Sequence, residues 1–120
     1  MTRHDPVVRL RHMRDFGRRA LRLAQGRHRE ELDTDEQFGL SIARLVELLG
    51  EAAARVPAEV RAAHPQLPWP RIVGIRNRLI HGYDYVDHDI LWGVLQEDLP
   101  ELLAELDRIL PPDEPKANAG

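Results

Sequence analysis

The chain has 120 residues, 42% of them apolar, with 17 Lys and Arg against 20 Asp and Glu and a net charge of −3. At about 100–200 residues per domain this is one domain, and the composition suits a folded core better than a disordered chain or a wholly basic nucleic-acid coat. The absence of Cys excludes disulfide frameworks, thiolate metal sites and cysteine nucleophiles.

No apolar run approaches the ~18 residues of a membrane span. The opening Met1-Thr2-Arg3-His4-Asp5 lacks the apolar centre of a signal peptide, so the cytoplasm is the expected compartment. Residues 1–29 carry nine Arg against two Asp. Residues 82–120 carry ten Asp and Glu against Arg108 and Lys116. The two ends are therefore expected to attract each other, within or between chains.

The periodicity is helical nearly throughout. Leu10, Met13, Gly17, Leu21 and Ala24 recur at steps of three and four, which predicts a helix over about 6–25 with Gly26 as its stop. Thr34 followed by Gln37 reads as a capping box. Phe38, Ile42, Leu45, Leu49, Ala53 and Val56 then keep the helical period as far as Pro57. A short helix is expected over 58–63, before Pro65 and Pro68 interrupt the chain.

Pro70 suits the first turn of the next helix. Ile72, Ile75 and Leu79 line one side of it, and Gly82 is placed to end it. Asp87 can cap the last helix, whose apolar set runs from Ile90 to Ile109. Pro100 should kink or divide that helix, because it lacks an N–H and crowds the preceding turn. No stretch alternates as a strand would. The expected fold is all-α, an antiparallel helical bundle over residues 1–110, followed by a disordered polar tail over 111–120.

The densest polar signal is Arg76-Asn77-Arg78-Leu79-Ile80-His81-Gly82-Tyr83. On a continuous helix Asn77 and His81 share a face, and the long Arg76 side chain can lean toward the same place. Arg offers a planar fork to phosphate oxygens, and His moves protons near neutral pH. RNA brings its own nucleophile, the 2′-hydroxyl. Its attack on the adjacent phosphorus needs a base, an acid for the departing 5′-oxygen and positive charge against the phosphorane, with no metal required. One chain offers one Arg–His pair, and a two-fold homodimer would bring two to one cleft. The bland alternative is a surface Arg and His beside Ile75, Leu79 and Ile80 as ordinary core or dimer contacts, with Tyr83 a packed aromatic.

Arg76-x4-His81-x-Tyr83, with Asn77 after the Arg, resembles the signature of HEPN ribonucleases, and within them the HepT-like (DUF86) branch. Glu47-Leu48-Leu49-Gly50-Glu51-Ala52-Ala53, His64-Pro65, Leu67-Pro68-Trp69, Val86-Asp87, Trp92 and Gln96-x-Asp98-Leu99-Pro100 extend the likeness over roughly residues 5–110. The resemblance implies a dimeric HEPN-like bundle acting as a metal-independent RNase toxin of a type VII toxin–antitoxin pair. It implies Arg76 and His81 as the catalytic pair and Asn77 as the residue that supports the motif or positions RNA. Tyr83 is implied as the residue to which an MNT-type nucleotidyltransferase antitoxin transfers AMP. No cofactor is implied. The chain departs from the family pattern ahead of the Gly-Glu-Ala helix segment, where members often have Arg-Asn and this chain has Arg44-Leu45. The runner-up reading is a catalytically silent dimeric scaffold of the same fold that partners a nucleotidyltransferase.

Other polar groupings point less sharply. Arg11, Arg14, Arg18 and Arg22 form a stripe on the first helix that, with Arg78, could track an RNA backbone, or pair with the acidic last helix. His81, Asp84, Asp87, His88 and Asp89 have uneven spacing for metal ligands, and Asp87 already has a cap to make, so no metal site is expected. Glu47 and Glu51 lie four apart, without any sign of the sugar cleft a glycosidase would need. Trp69 and Trp92 read as core anchors. A DNA-binding regulator is disfavoured because no helix-turn-helix with a basic recognition helix stands out.

Overall fold

The computed structural model describes residues 5, 7–80 and 85–112. Among them the chain is all-α: α1 (Val8–Ala24), α2 (Glu31–Thr34), α3 (Glu36–Ala54), α4 (Ala58–Ala63), α5 (Trp69–Val73), α6 (Ile75–Leu79), α7 (His88–Gly93), a π-helical turn (Val94–Asp98) and α8 (Leu99–Ile109). The one strand-like feature among the described residues is an isolated antiparallel bridge between Ile80 and Val86.

The periodic apolar residues dictate the packing. α1 buries Leu10, Met13, Gly17, Ala20 and Ala24, and α3 buries Phe38, Ile42, Val46 and Leu49. The two helices form a hairpin, and Leu99, Leu102, Leu103 and Leu106 of α8 close its open side. Gly26 carries the chain out of α1 at φ 75, a left-handed conformation that glycine adopts without a Cβ penalty.

Local chemistry corrects the expected entry to α3. Thr34 is the last residue of α2, and its hydroxyl donates back to the Glu30 carbonyl at 3.3 Å. The cap is Asp35, whose extended backbone aims its carboxylate at the Phe38 N–H, 3.1 Å away. That hydrogen bond, and next to it the Arg27 guanidinium, hold the Asp35 carboxyl below its ordinary range. The short helix at 58–63 forms as expected. Trp69 is buried, and its indole N–H donates to the His64 carbonyl at 3.0 Å.

Asp87 caps α7 by accepting from the Ile90 N–H at 3.0 Å. The last helical stretch divides ahead of Pro100, which sits in the first turn of α8. Proline cannot donate to the carbonyl four residues back, and the chain before it widens into the π turn. The expected tail over 111–120 lies outside the described residues beyond 112.

Candidate active site

The motif segment is positioned by a close approach between α3 and the α5–α6 corner. At Gly50 of α3 a Cβ would stand 3.4 Å from the Ile72 carbonyl oxygen and 4.0 Å from Ile75 Cβ. Those are van der Waals distances, so the two backbones pack with room for little beyond a methyl group at this position. Ile72, Ile75 and Leu79 are buried beneath that corner, which turns Arg76 and Asn77 outward.

The expected single helix over 70–81 is two short ones. α5 ends at Val73, Gly74 makes the break, and α6 ends at Leu79. Ile80 is extended, at φ −101 and ψ 120, and pairs with Val86, while the Leu79 carbonyl accepts from the Asp87 N–H at 2.7 Å. A carbonyl freed at the helix end is thus satisfied by the returning chain. Ile80 and Leu79 are thereby hydrogen-bonded to the returning chain at Val86 and Asp87. α6 stops at Leu79, and the face expected to be shared by Asn77 and His81 rests on a residue outside the described ones. His81, Tyr83 and Asp84 themselves lie outside the described residues.

Arg76 is 63% exposed, and its Nε stands 3.5 Å from Glu47 Oε1, a carboxylate of α3 that is 19% exposed. One turn back along α3, Arg44 is 60% exposed, with Nη1 3.8 Å from Glu51 Oε1. Arg44, Glu47 and Glu51 sit at i, i+3 and i+7, which places them on one helix face. Spacing alone offered Glu47 only as half of a carboxylate pair. Its partner on α6 became visible through tertiary packing, although a charged strip on a helix otherwise rich in buried residues was a readable signal.

Asp98, in the π turn, is the second polar organiser. It accepts from Arg71 Nη2 of α5 at 3.1 Å and from Arg78 Nη1 of α6 at 3.3 Å, joining the two short helices across Gly74. Arg78, a candidate RNA contact by sequence, is thereby turned toward an internal carboxylate.

The α1 stripe is also redistributed. Arg14 is buried at 6% exposure, because its spacing from Leu10 and Gly17 puts it on the core face, so it is no member of a surface stripe. Arg18 donates to Asp107 of α8 at 2.8 Å, realising the attraction between basic and acidic ends. Arg11 donates to Asp5 at 3.2 Å, and Arg22 stays exposed.

Of the residues considered as metal ligands, the described Asp87, His88 and Asp89 have other partners. His88 Nδ1 lies 2.6 Å from Asp33 Oδ1, and Arg29 donates to Asp89 at 2.7 Å and also to Asp33. The His88 hydrogen bond first, and Arg29 second, hold the Asp33 carboxyl below its ordinary range. Among the described residues no group of three or more His, Cys, Asp or Glu is arranged to hold a metal ion. No described helix is long and apolar enough to cross a membrane.

The described residues define an all-α bundle that presents an exposed arginine, Arg76, four residues ahead of the Ile80–Val86 bridge. The chain belongs to the HepT-like family: the profile described as "Ribonuclease HepT-like" matches residues 9–109. It is 31% identical over 80 residues to a protein of Thermococcus cleftensis named "Probable ribonuclease HepT", covering 67% of this chain and 73% of that one. It is 35% identical over 81 residues to a provisionally named RNase of Caldanaerobacter subterraneus subsp. tengcongensis, covering 68% and 72%. A provisionally named RNase of Methanocaldococcus jannaschii is 30% identical over 81 residues, covering 68% and 67%. No solved structure matches the chain.

Proposed function

We propose that the protein is a metal-independent endoribonuclease, the toxin of a type VII toxin–antitoxin pair, with one helical domain over residues 1–110 and a polar tail beyond. The observation that carries this reading is the exposed Arg76 guanidinium, steadied by Glu47 at 3.5 Å and four residues ahead of the Ile80–Val86 bridge. The names of the relatives support the same reading. His81 takes the proton from the 2′-hydroxyl, whose oxygen attacks the adjacent phosphorus. Arg76 stabilises the phosphorane charge. The bond to the 5′-oxygen breaks, and that oxygen is protonated by the second His81 of a homodimer, leaving a 2′,3′-cyclic phosphate. Asn77, exposed beside Arg76, positions RNA. An MNT-type nucleotidyltransferase silences the enzyme by adding AMP to Tyr83, which places bulk and negative charge at the phosphate site. The cytoplasm is the compartment that fits this chemistry.

The test is cleavage of RNA by the unmodified protein in EDTA. His81→Ala and Arg76→Ala should each lose about 10²-fold or more, with the helical circular dichroism retained. Arg76→Lys should recover little, because a point charge lacks the planar fork. Tyr83→Phe should keep cleavage and fail to gain the mass of AMP when incubated with ATP and the partner. Cleavage that vanishes in EDTA and returns with a divalent ion would refute the mechanism. A wild-type protein that binds its partner yet cleaves no RNA would favour the silent scaffold.

A further inference from the structure

Among the described arginines that stand near a carboxylate, the separation differs from one to the next. Arg18, Arg27 and Arg29 close on Asp107, Asp35 and Asp89 at 2.8, 2.7 and 2.7 Å, and Arg71 and Arg78 converge on Asp98, which is 20% exposed. These cations are committed to the fold. Arg76 and Arg44 differ. Their contacts, to Glu47 and Glu51, are 3.5 and 3.8 Å, and both side chains are at least 60% exposed. Such separations are ion pairs without hydrogen-bond geometry, so the guanidinium forks keep their donors for another acceptor.

The two loosely held arginines also share a location. Glu47 and Glu51 lie one turn apart on the same face of α3, and α6 packs onto that helix closely enough to reach Glu47. Arg44 runs along the strip from one end, and Arg76 reaches it from α6. Two accessible guanidinium groups on one strip, each parked on a carboxylate, form an arrangement suited to successive phosphates of one strand.

We infer that Arg44 is a second phosphate-binding residue, gripping an RNA phosphate next to the one held by Arg76 and leaving Glu51 when it does so. Glu51 competes with RNA for this guanidinium and keeps it oriented along α3 until the strand arrives. The inference rests on the ribonuclease reading and adds a binding contact to it. It moves the basic track from α1, where Arg14 is buried and Arg18 is engaged, to the α3–α6 strip. Arg44 binds through the backbone, so its effect should be independent of base sequence.

The experiment measures affinity of the full chain for a single-stranded 2′-O-methyl oligoribonucleotide, which lacks the nucleophile and cannot be cleaved. Affinity is followed across a salt series, with cleavage of the matching RNA measured in parallel. Arg44→Ala should weaken binding about tenfold and lower kcat/KM alongside. It should flatten the slope of log K against log salt by about 0.7, the share of one phosphate contact on a single strand. Arg44→Lys should restore the slope and only part of the affinity. Glu51→Gln should move affinity the other way, tightening binding a few-fold, because the competitor is gone. Opposite signs for Arg44→Ala and Glu51→Gln are the signature of competition for phosphate. A shared weakening would mark a purely structural pair and overturn the inference. So would wild-type affinity and slope in Arg44→Ala when the wild-type chain binds the probe and cleaves RNA. A wild-type chain that cleaves no RNA would instead overturn the ribonuclease reading beneath it.

Discussion

The α1–α3–α8 side of the molecule and its α5–α7 side are built on different physics. In the first, helices of 17, 19 and 11 residues meet along faces whose side chains are almost wholly removed from water: Leu10, Met13, Ile42, Val46, Leu49, Leu99 and Leu106. In the second, helices of five, five and six residues are far too short to hold themselves. Each contributes one or two apolar anchors, and the rest of the positioning is directional. Asp98 joins α5 to α6, the Leu79 carbonyl takes the Asp87 N–H, and the Asp33–His88 and Arg29–Asp89 pairs tie α7 to α2 and the turn before it. Apolar contact is non-directional and tolerates small rotations, whereas a carboxylate between two guanidiniums fixes their helices' relative angle. The proposed functional edge includes Arg76 on the directional side, held by its helix with its head group 63% exposed.

The comparison is broken most forcefully in the apolar half. Leu49→Ala, at a fully buried position, should cost about 2–5 kcal/mol and lower the urea midpoint of the whole domain without a specific effect on the motif segment. Asp98→Asn acts on the other side. It should cost about 1–2 kcal/mol, up to about 1 for each of the two partly exposed ion pairs. Its larger signature is faster amide hydrogen exchange confined to residues 69–79, with reduced RNA cleavage. Equal protection loss in α1 and α3 would show that the two sides are not separable.

Asp87→Ala removes the α7 cap and should cost about 1 kcal/mol, read as a smaller shift of the urea midpoint than Leu49→Ala gives. The smallest effect is acid loosening of the α2–α7 tie. Because folding depresses the Asp33 pKa, its contribution is present above the ordinary carboxylate value of about 3.9 and is lost as pH falls through the lower folded value. Thermal melts between pH 5 and pH 2 should therefore show a slightly shallower loss for Asp33→Asn than for wild type. Identical profiles would remove this tie from the account.

Much of the fold was legible in the residues. The 3.6-residue recurrence of apolar side chains located α1, α3 and α8, Asp87 announced its own cap, and Pro100 marked the division of the last helical stretch. These are local effects, settled within a few residues. The α3 cap was misplaced by one residue because Thr34 and Asp35 are both good caps in isolation, and the choice fell to the one whose backbone was left extended by the end of α2. Arg76 and Asn77 were legible as an exposed polar pair because the apolar residues around them had to face inward.

By itself the sequence determined an all-helical domain, the faces that enter its core and the exposed position of the motif arginine, since each follows from spacing along one chain segment. Tertiary structure alone decided that 70–79 would break at Gly74, that Ile80 would leave the helix to pair with Val86, and that Asp98 would take two guanidiniums. It alone put Glu47 beneath Arg76. The Asp98 and Glu47 contacts pair charges from separate elements of the chain. Electrostatic and hydrogen-bond energies depend on distances and angles that exist only once the apolar half has brought those parts together.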